Sequence, residues 1–425
     1  MTIAARFFIA IATFFLFATV ATAATRTVCF NLRFADDRNN CPAPANGVLR
    51  GCQAGSDVDA IGHQIELWDK DQNSPDDLIG TWYVNGGGTQ CATFEWERSA
   101  ASLGEHDPDV YMRYINRVNQ TGFSNYVFVQ VVRRDGGAHP ATTWRNGQPG
   151  DPDRYVANNC SAGSTCYMFP SGYLLPTSDV ASERAQRIMT LDSAQHMLQV
   201  YSDLMNRNVK LHFPGKDDCT TSCATDRENY HIFKTQGRDG ILSTHELGHV
   251  LQMQIFGQDS LTDDVSKGGN GWSLTSDEFD SGATTEGWAS YVAVVSWFDP
   301  NNSASNPVGW SVNFDAATPT NATCSNNRGI PLQVARAFWD IDDWNNEAGA
   351  GAAGRARDAL AYGTLDIARG WQHFADGSGN RQNDESDMHG LNARDYYWNN
   401  TWWLAAPEFF ETFIEHNCLQ DQDNN

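Results

Sequence analysis

His245-Glu246-Leu247-Gly248-His249 sets two imidazoles four residues apart. In an α-helix four residues advance slightly more than one turn, so both rings leave the same face and can reach one cation at about 2 Å. Glu246 stands one step round the helix, near that cation but not aimed at it. A carboxylate there can take a proton from an attacking water and pass it to a leaving amine. A helix is predicted for this run, with Asp239 as its opening cap, Gly257 as its close, and apolar Ile241, Leu242, Val250, Leu251 and Ile255 along it. The plainer alternative is a satisfied pair of core histidines on a buried helix.

A catalytic zinc takes a third protein ligand and leaves one position for water. No third histidine follows shortly downstream, where Gln252 and Ile255 stand instead. Further on, Thr284-Thr285-Glu286-Gly287-Trp288-Ala289-Ser290-Tyr291 opens another apolar stretch through Val294, Val295 and Trp297. Glu286 in the first turn of a helix lying beside the first would supply the missing ligand. The same residue could instead be a first-turn carboxylate stabilised by the helix dipole. Asp277, Glu278 and Asp280 are its competitors; they follow Gly268-Gly269-Asn270-Gly271 in a polar stretch that reads as a solvated loop.

With these residues in hand, the segment from Ala181 to Trp297 resembles the gluzincins, the thermolysin-like group of zinc peptidases. The resemblance implies one catalytic Zn2+ held by His245, His249 and Glu286, with Glu246 as general base, acting on a peptide or protein substrate; no exopeptidase signature is present, and endopeptidase action is mildly preferred over aminopeptidase action. Many members carry an Asp four residues beyond the ligand Glu to orient a ligand histidine. This chain has Ser290 there. The group also supplies a tyrosine or histidine to the developing oxyanion, for which Tyr362, His373, His389, Tyr396 and Tyr397 are available. The aromatic C-terminal part, including Ala337 to Asp343 and Leu360 to Ala368, resembles the helical lobe of that group, with Trp339 and Trp344 read as core.

These residues need a scaffold. From Thr27 to about Arg134 short strands are predicted: Val28, Phe30, Leu32 and Phe34 alternate with polar residues, and Tyr126 to Val132 is β-rich. That pattern, lacking a helical stripe, reads as a β-sandwich. The segment Ile65 to Asp71, followed by Pro75 to Gly80, resembles a hairpin of transthyretin-like and calcium-dependent membrane-binding sandwiches. Asp69, Asp71, Asp76 and Asp77 there could bind Ca2+, although acidic turn residues are commonly just solvated. A Gly-, Pro- and Asp-rich stretch over 135–154 reads as a linker. Beyond it, Ala181 to Asn206 has helical spacing, and Val209 to Phe213 and Tyr230 to Phe233 are strand-like. The expected fold is α+β: a β-sandwich over 24–134, the linker, then a mainly helical zincin-type metallopeptidase domain with a small antiparallel sheet over 155–425.

Residues 1–23 read as an export signal, since Arg6 precedes the apolar run Phe7 to Ala21 and small residues follow. A membrane anchor is the alternative, but the run is short for a bilayer, and no later stretch is long and apolar enough to cross one. The net charge of -23 becomes -24 once Arg6 is removed with the signal. Such a charge repels rather than neutralises phosphates, which argues against a nucleic-acid partner. The 10 cysteines all follow the signal and fall into even groups: Cys29, Cys41, Cys52 and Cys91; Cys160 and Cys166; Cys219 and Cys223; Cys324 and Cys418. In an exported chain these read as disulfides. Glycosylation patterns occur at Asn119, Asn159, Asn301, Asn321 and Asn399. Two functions follow: a secreted zinc peptidase, or a secreted binding protein whose metallopeptidase-like lobe is inert.

Overall fold

Val28, Phe30, Leu32 and Phe34 alternate with partly exposed Asn31, Arg33 and Ala35, so the first strand, β1 (Ala24–Asp36), turns an apolar face inward, and all four are buried. In this computed structural model the described residues are 24–49, 51–52, 56–70, 75–96, 108–119, 127–133, 136–138, 142–145, 148–149, 160–161, 163–175, 183–215, 219–257, 259, 273–276, 278, 280–302, 305–315, 330–342 and 364–373. After β1 come β2 (Ser56–Asp59), β3 (His63–Asp69), β4 (Asp77–Tyr83), β5 (Gln90–Trp96), β6 (Val110–Asn119), β7 (Phe128–Val132), β8 (Thr142–Arg145), β9 (Gln148–Pro149) and β10 (Thr165–Leu175). The helical part follows as α1 (Glu183–Tyr201), β11 (Val209–His212), β12 (Cys223–Asp226), β13 (Asn229–His231), α2 (Gly240–Phe256), α3 (Asp280–Val295), β14 (Val308–Gly309), β15 (Val312–Asn313), α4 (Pro331–Asp342) and α5 (Thr364–His373).

Two sheets share a core. In the smaller, β10 runs parallel along one edge of β1, while β5 and β2 pair antiparallel with its first and last parts. The larger has the order β12-β13-β11-β7-β6-β3-β4, with β8 beside β6 and β9 beside β8. Val28, Phe30, Leu32 and Phe34 of the first meet Ile65, Leu67, Met112 and Tyr114 of the second, and Ala185, Ile188 and Met189 of α1 join the same core. The chain is therefore α+β, as expected. The expected hairpin is present as β3 and β4.

The sheets do not stop where the sequence placed a boundary. β10, beyond the expected linker, pairs with β1, and β11 pairs parallel with β7. β8 lies inside the expected linker and pairs with β6. The strands read at Val209–Phe213 and Tyr230–Phe233 are instead the mixed end of the large sheet, where β13 and β11 are parallel and β12 with β13 is antiparallel; a small antiparallel pair among the helices is β14 with β15. The reason is physical: parallel partners are distant in sequence and have no shared turn to announce them, and a strand as short as Thr142–Arg145 carries too few alternations to stand out from Gly and Pro neighbours.

The helices form a second core. Leu247, Val250 and Leu251 of α2, Trp288, Tyr291 and Val292 of α3, and Phe338 and Trp339 of α4 are all buried in one cluster. α2 and α3 are buried nearly all round, as central helices are, and carry buried polar side chains among their apolar ones. A buried polar junction ties the two cores together. The Arg38 guanidinium lies 2.9 Å from Asp36 and 2.9 Å from Asp192, stacks over Trp297, and His63 and His196 also approach Asp192, at 3.4 and 3.5 Å. Four disulfides, Cys29–Cys91, Cys41–Cys52, Cys160–Cys166 and Cys219–Cys223, each join cysteines of one expected group. Cys219–Cys223 is thus a closed bridge and not half of a metal site. Cys324, Cys418 and residues 1–23 lie outside the described residues, among which no helix is long and apolar enough to cross a membrane.

Candidate metal centre

α2 begins and ends where its chemistry requires. The Asp239 carboxylate accepts the Ile241 and Leu242 N–H groups at 3.1 and 2.9 Å, satisfying donors the first turn leaves open. Gly257 closes the helix at φ 68°, a left-handed value that suits glycine. Along its inner side the Ser243 hydroxyl donates to the Thr190 carbonyl of α1, and the Trp297 indole donates to Thr244. Both fix the rotation of α2. His245 and His249 then emerge on one face with ring centroids 4.8 Å apart and planes at 85°.

Glu286 comes from α3. The helix starts earlier than the sequence indicates, at Asp280, so Glu286 stands in the second turn and not the first. Gly282 and the paired threonines read as a weak start, and packing against α2 and α4 overrides that preference. The helix dipole fades beyond the first turn, so it no longer accounts for this carboxylate. What holds it is the histidine pair: Oε2 lies 3.1 Å from His245 Nε2 and 3.3 Å from His249 Nε2. Bonds of about 2.0–2.1 Å in a tetrahedron imply ligand separations of roughly 3.3–3.4 Å. The two measured edges fit such a centre, and all three donor atoms lie within 4.8 Å of one another. Among the described residues no other trio of His, Cys, Asp or Glu gathers in this way.

Electrostatics follow from burial. His245, His249 and Glu286 are each less than 9% exposed, so a charge on any of them is costly without a partner. Burial pushes the Glu286 carboxyl up, but His249 and His245 outweigh it and hold the group at about 2. His245 is lowered by burial and by the neighbouring His249, against the pull of Glu286. Burial also lowers His249, but Glu286 and Glu246 more than reverse it. Glu246 is pushed up to about 8, chiefly by burial. Its carboxylate accepts the Ala224 N–H of β12, the strand that ends the large sheet. It faces His249 and Glu286 without joining the trio.

Two glycines allow the helices to close on this site. A Cβ at Gly248 would meet the Ala289 Cα at 3.1 Å, so α2 and α3 touch there backbone to backbone. A Cβ at Gly287, next to Glu286, would fall 2.8 Å from the Pro331 carbonyl and 2.7 Å from Val334 Cβ of α4. Gly287→Ala is therefore expected to destabilise the protein by about 1–3 kcal/mol, despite the better helix propensity of alanine. Urea unfolding would test this, and an unchanged or higher midpoint would count against the close approach.

The remaining candidates divide. Glu278, expected in a solvated loop, is buried, 1% exposed, and belongs to no such trio; Asp280 is the first residue of α3, and Asp277 lies outside the described residues. Asp69 accepts the Asp109 N–H and Asp76 the Tyr111 hydroxyl, each at 2.7 Å, so these two carboxylates are engaged within the fold, and they join no trio of potential ligands among the described residues. Asp77 opens β4, and Asp71 is outside the described residues. So are Tyr362, His389, Tyr396, Tyr397 and Trp344, while His373 ends α5 with only its backbone described. Trp339 is core, 1% exposed. The sequence reading missed Trp310, whose ring lies edge-on to His245 at 5.5 Å; the two-residue turn that presents it lacks the Asn-Gly signal of such hairpins.

No protein-family model matches the chain, and no curated protein matches it. Among solved structures, a 9R-lipoxygenase from Cyanothece PCC8801 aligns at 14% identity over 43% of this chain and 24% of that chain, with a TM-score of 0.19. A likeness that slight identifies neither fold nor activity.

Proposed function

We propose that this chain is a secreted zinc-dependent peptidase in which His245, His249 and Glu286 hold the ion and Glu246 is the general base. The observation that carries the reading is the buried trio, with Glu286 at the distance of a tetrahedral edge from each histidine and the Glu246 carboxylate beside it. Two imidazoles and one carboxylate are a donor set that zinc favours, and a bound zinc would acidify water and polarise a carbonyl. Glu246, kept from solvent and tethered to Ala224, is placed to accept a proton from the attacking water and return it to the leaving amine. β12 ends its sheet beside Glu246, so an extended peptide added along that edge would bring its backbone past the base. This supports cleavage within a chain over trimming from an end. Four disulfides and the absence of a membrane-spanning helix among the described residues fit an exported protein.

Chelation is expected to abolish cleavage of a peptide library, and stoichiometric zinc to restore it. Zinc analysis on the same sample keeps the outcomes apart. Hydrolysis that survives chelation would require another apparatus, and a protein that carries no zinc and cleaves nothing would favour the inert binding lobe.

A further inference from the structure

His245 has a second ring nitrogen, and what touches it decides where the first one points. Ser290, one turn beyond Glu286 on α3 and wholly buried, sets its Oγ 3.4 Å from His245 Nδ1. From another side comes Trp310, at the tip of the β14–β15 hairpin. Its ring meets that of His245 edge-on at 5.5 Å and 87°, and its indole N–H bonds the Asp239 carboxylate that caps α2. Trp310 and Ser311 both adopt left-handed backbone, φ 48° and 66°. A bulky side chain there is strained, and the conformation persists only where surrounding contacts hold it.

We propose that Ser290 and Trp310 are positioning residues that together hold the His245 ring with Nε2 toward Glu286 and His249, a neutral support in place of a carboxylate. The proposal rests on the zinc reading above. When Nε2 is a ligand, Nδ1 keeps its proton and donates it to Ser290 Oγ. A hydroxyl fixes the tautomer and the ring angle but brings no negative charge. The imidazole is therefore a weaker base than a carboxylate partner would make it, and a bound cation keeps more of its charge.

The test is metal affinity, read by competition with a chromophoric chelator, together with the visible spectrum of the cobalt-substituted full-length protein. Ser290→Ala is expected to weaken zinc by about 10- to 100-fold and to shift the cobalt bands; Ser290→Thr, which keeps the hydroxyl, should restore both. Ser290→Asp should bind zinc about tenfold more tightly than the parent. Trp310→Ala should weaken zinc and shift the cobalt bands, whereas Trp310→Phe, which keeps an aromatic edge but loses the bond to Asp239, should lie between it and the parent. Parent-like affinity and spectrum in Ser290→Ala or in Trp310→Ala would overturn the role of that residue. Equal losses in Ser290→Ala and Ser290→Thr, with lowered thermal midpoints, would assign the effect to packing and overturn it too. A parent protein that binds no zinc would overturn the metal reading and this proposal with it.

Discussion

Glu246→Gln should keep its zinc and lose at least about a hundredfold in turnover. The amide has the shape of the carboxylate, and its carbonyl oxygen can still accept the Ala224 N–H, so α2 and β12 need not move. His245, His249 and Glu286 are untouched, and with them metal affinity. What disappears is a proton acceptor, because an amide cannot take a proton from water near neutral pH. The residue is 5% exposed, so bulk water cannot readily substitute as base. Loss of an interaction made only in the transition state lowers kcat and kcat/KM together and leaves KM nearly unchanged. Steady-state kinetics with zinc analysis on the same preparation would decide, and near-normal kcat would sink the assignment of Glu246.

Glu286→Ala should weaken zinc binding by orders of magnitude, whereas alanine at Asp277 or Asp280 should leave it nearly unchanged. Two histidines one turn apart define a single edge of a tetrahedron, and the third corner must come from another element while a fourth stays open. α3 is packed between α2 and α4, so its carboxylate is already ordered and gives up little freedom on coordination. Alanine removes both the donor atom and the negative charge that offsets burial of a divalent cation. Chelator competition measures the change directly, and full affinity in Glu286→Ala would refute the ligand set.

The site was more legible than the fold around it, for a physical reason. α2 announces itself locally: Asp239, the two histidines and Gly257 lie within one short stretch, and the structure bounds α2 where they indicate. Glu286 stood out as an acidic residue opening a later apolar stretch, although the start of that helix was set by packing and not by its own residues. Contacts between distant segments left no such trace. Arg38, His63, Asp192 and Trp297 meet in one buried junction, yet nothing near any of them in sequence marks it. Trp310 reaches His245 only because a hairpin folds back across the start of α2.

The parallel pairing of β1 with β10 has a consequence for synthesis. Thr27 and Thr165 are neighbours in the sheet but roughly 140 residues apart, which at about 5–20 residues per second separates their emergence from the ribosome by roughly 7–30 s. β7 likewise gains its neighbour β11 only after α1 has been made. Throughout that interval the nascent chain carries two open strand edges, each a template for pairing with the wrong partner. The two strands that close them lie on either side of α1, ahead of His245 in the chain order. The two sheets can thus be completed before α2 and α3 are made, so those helices dock onto finished β-structure.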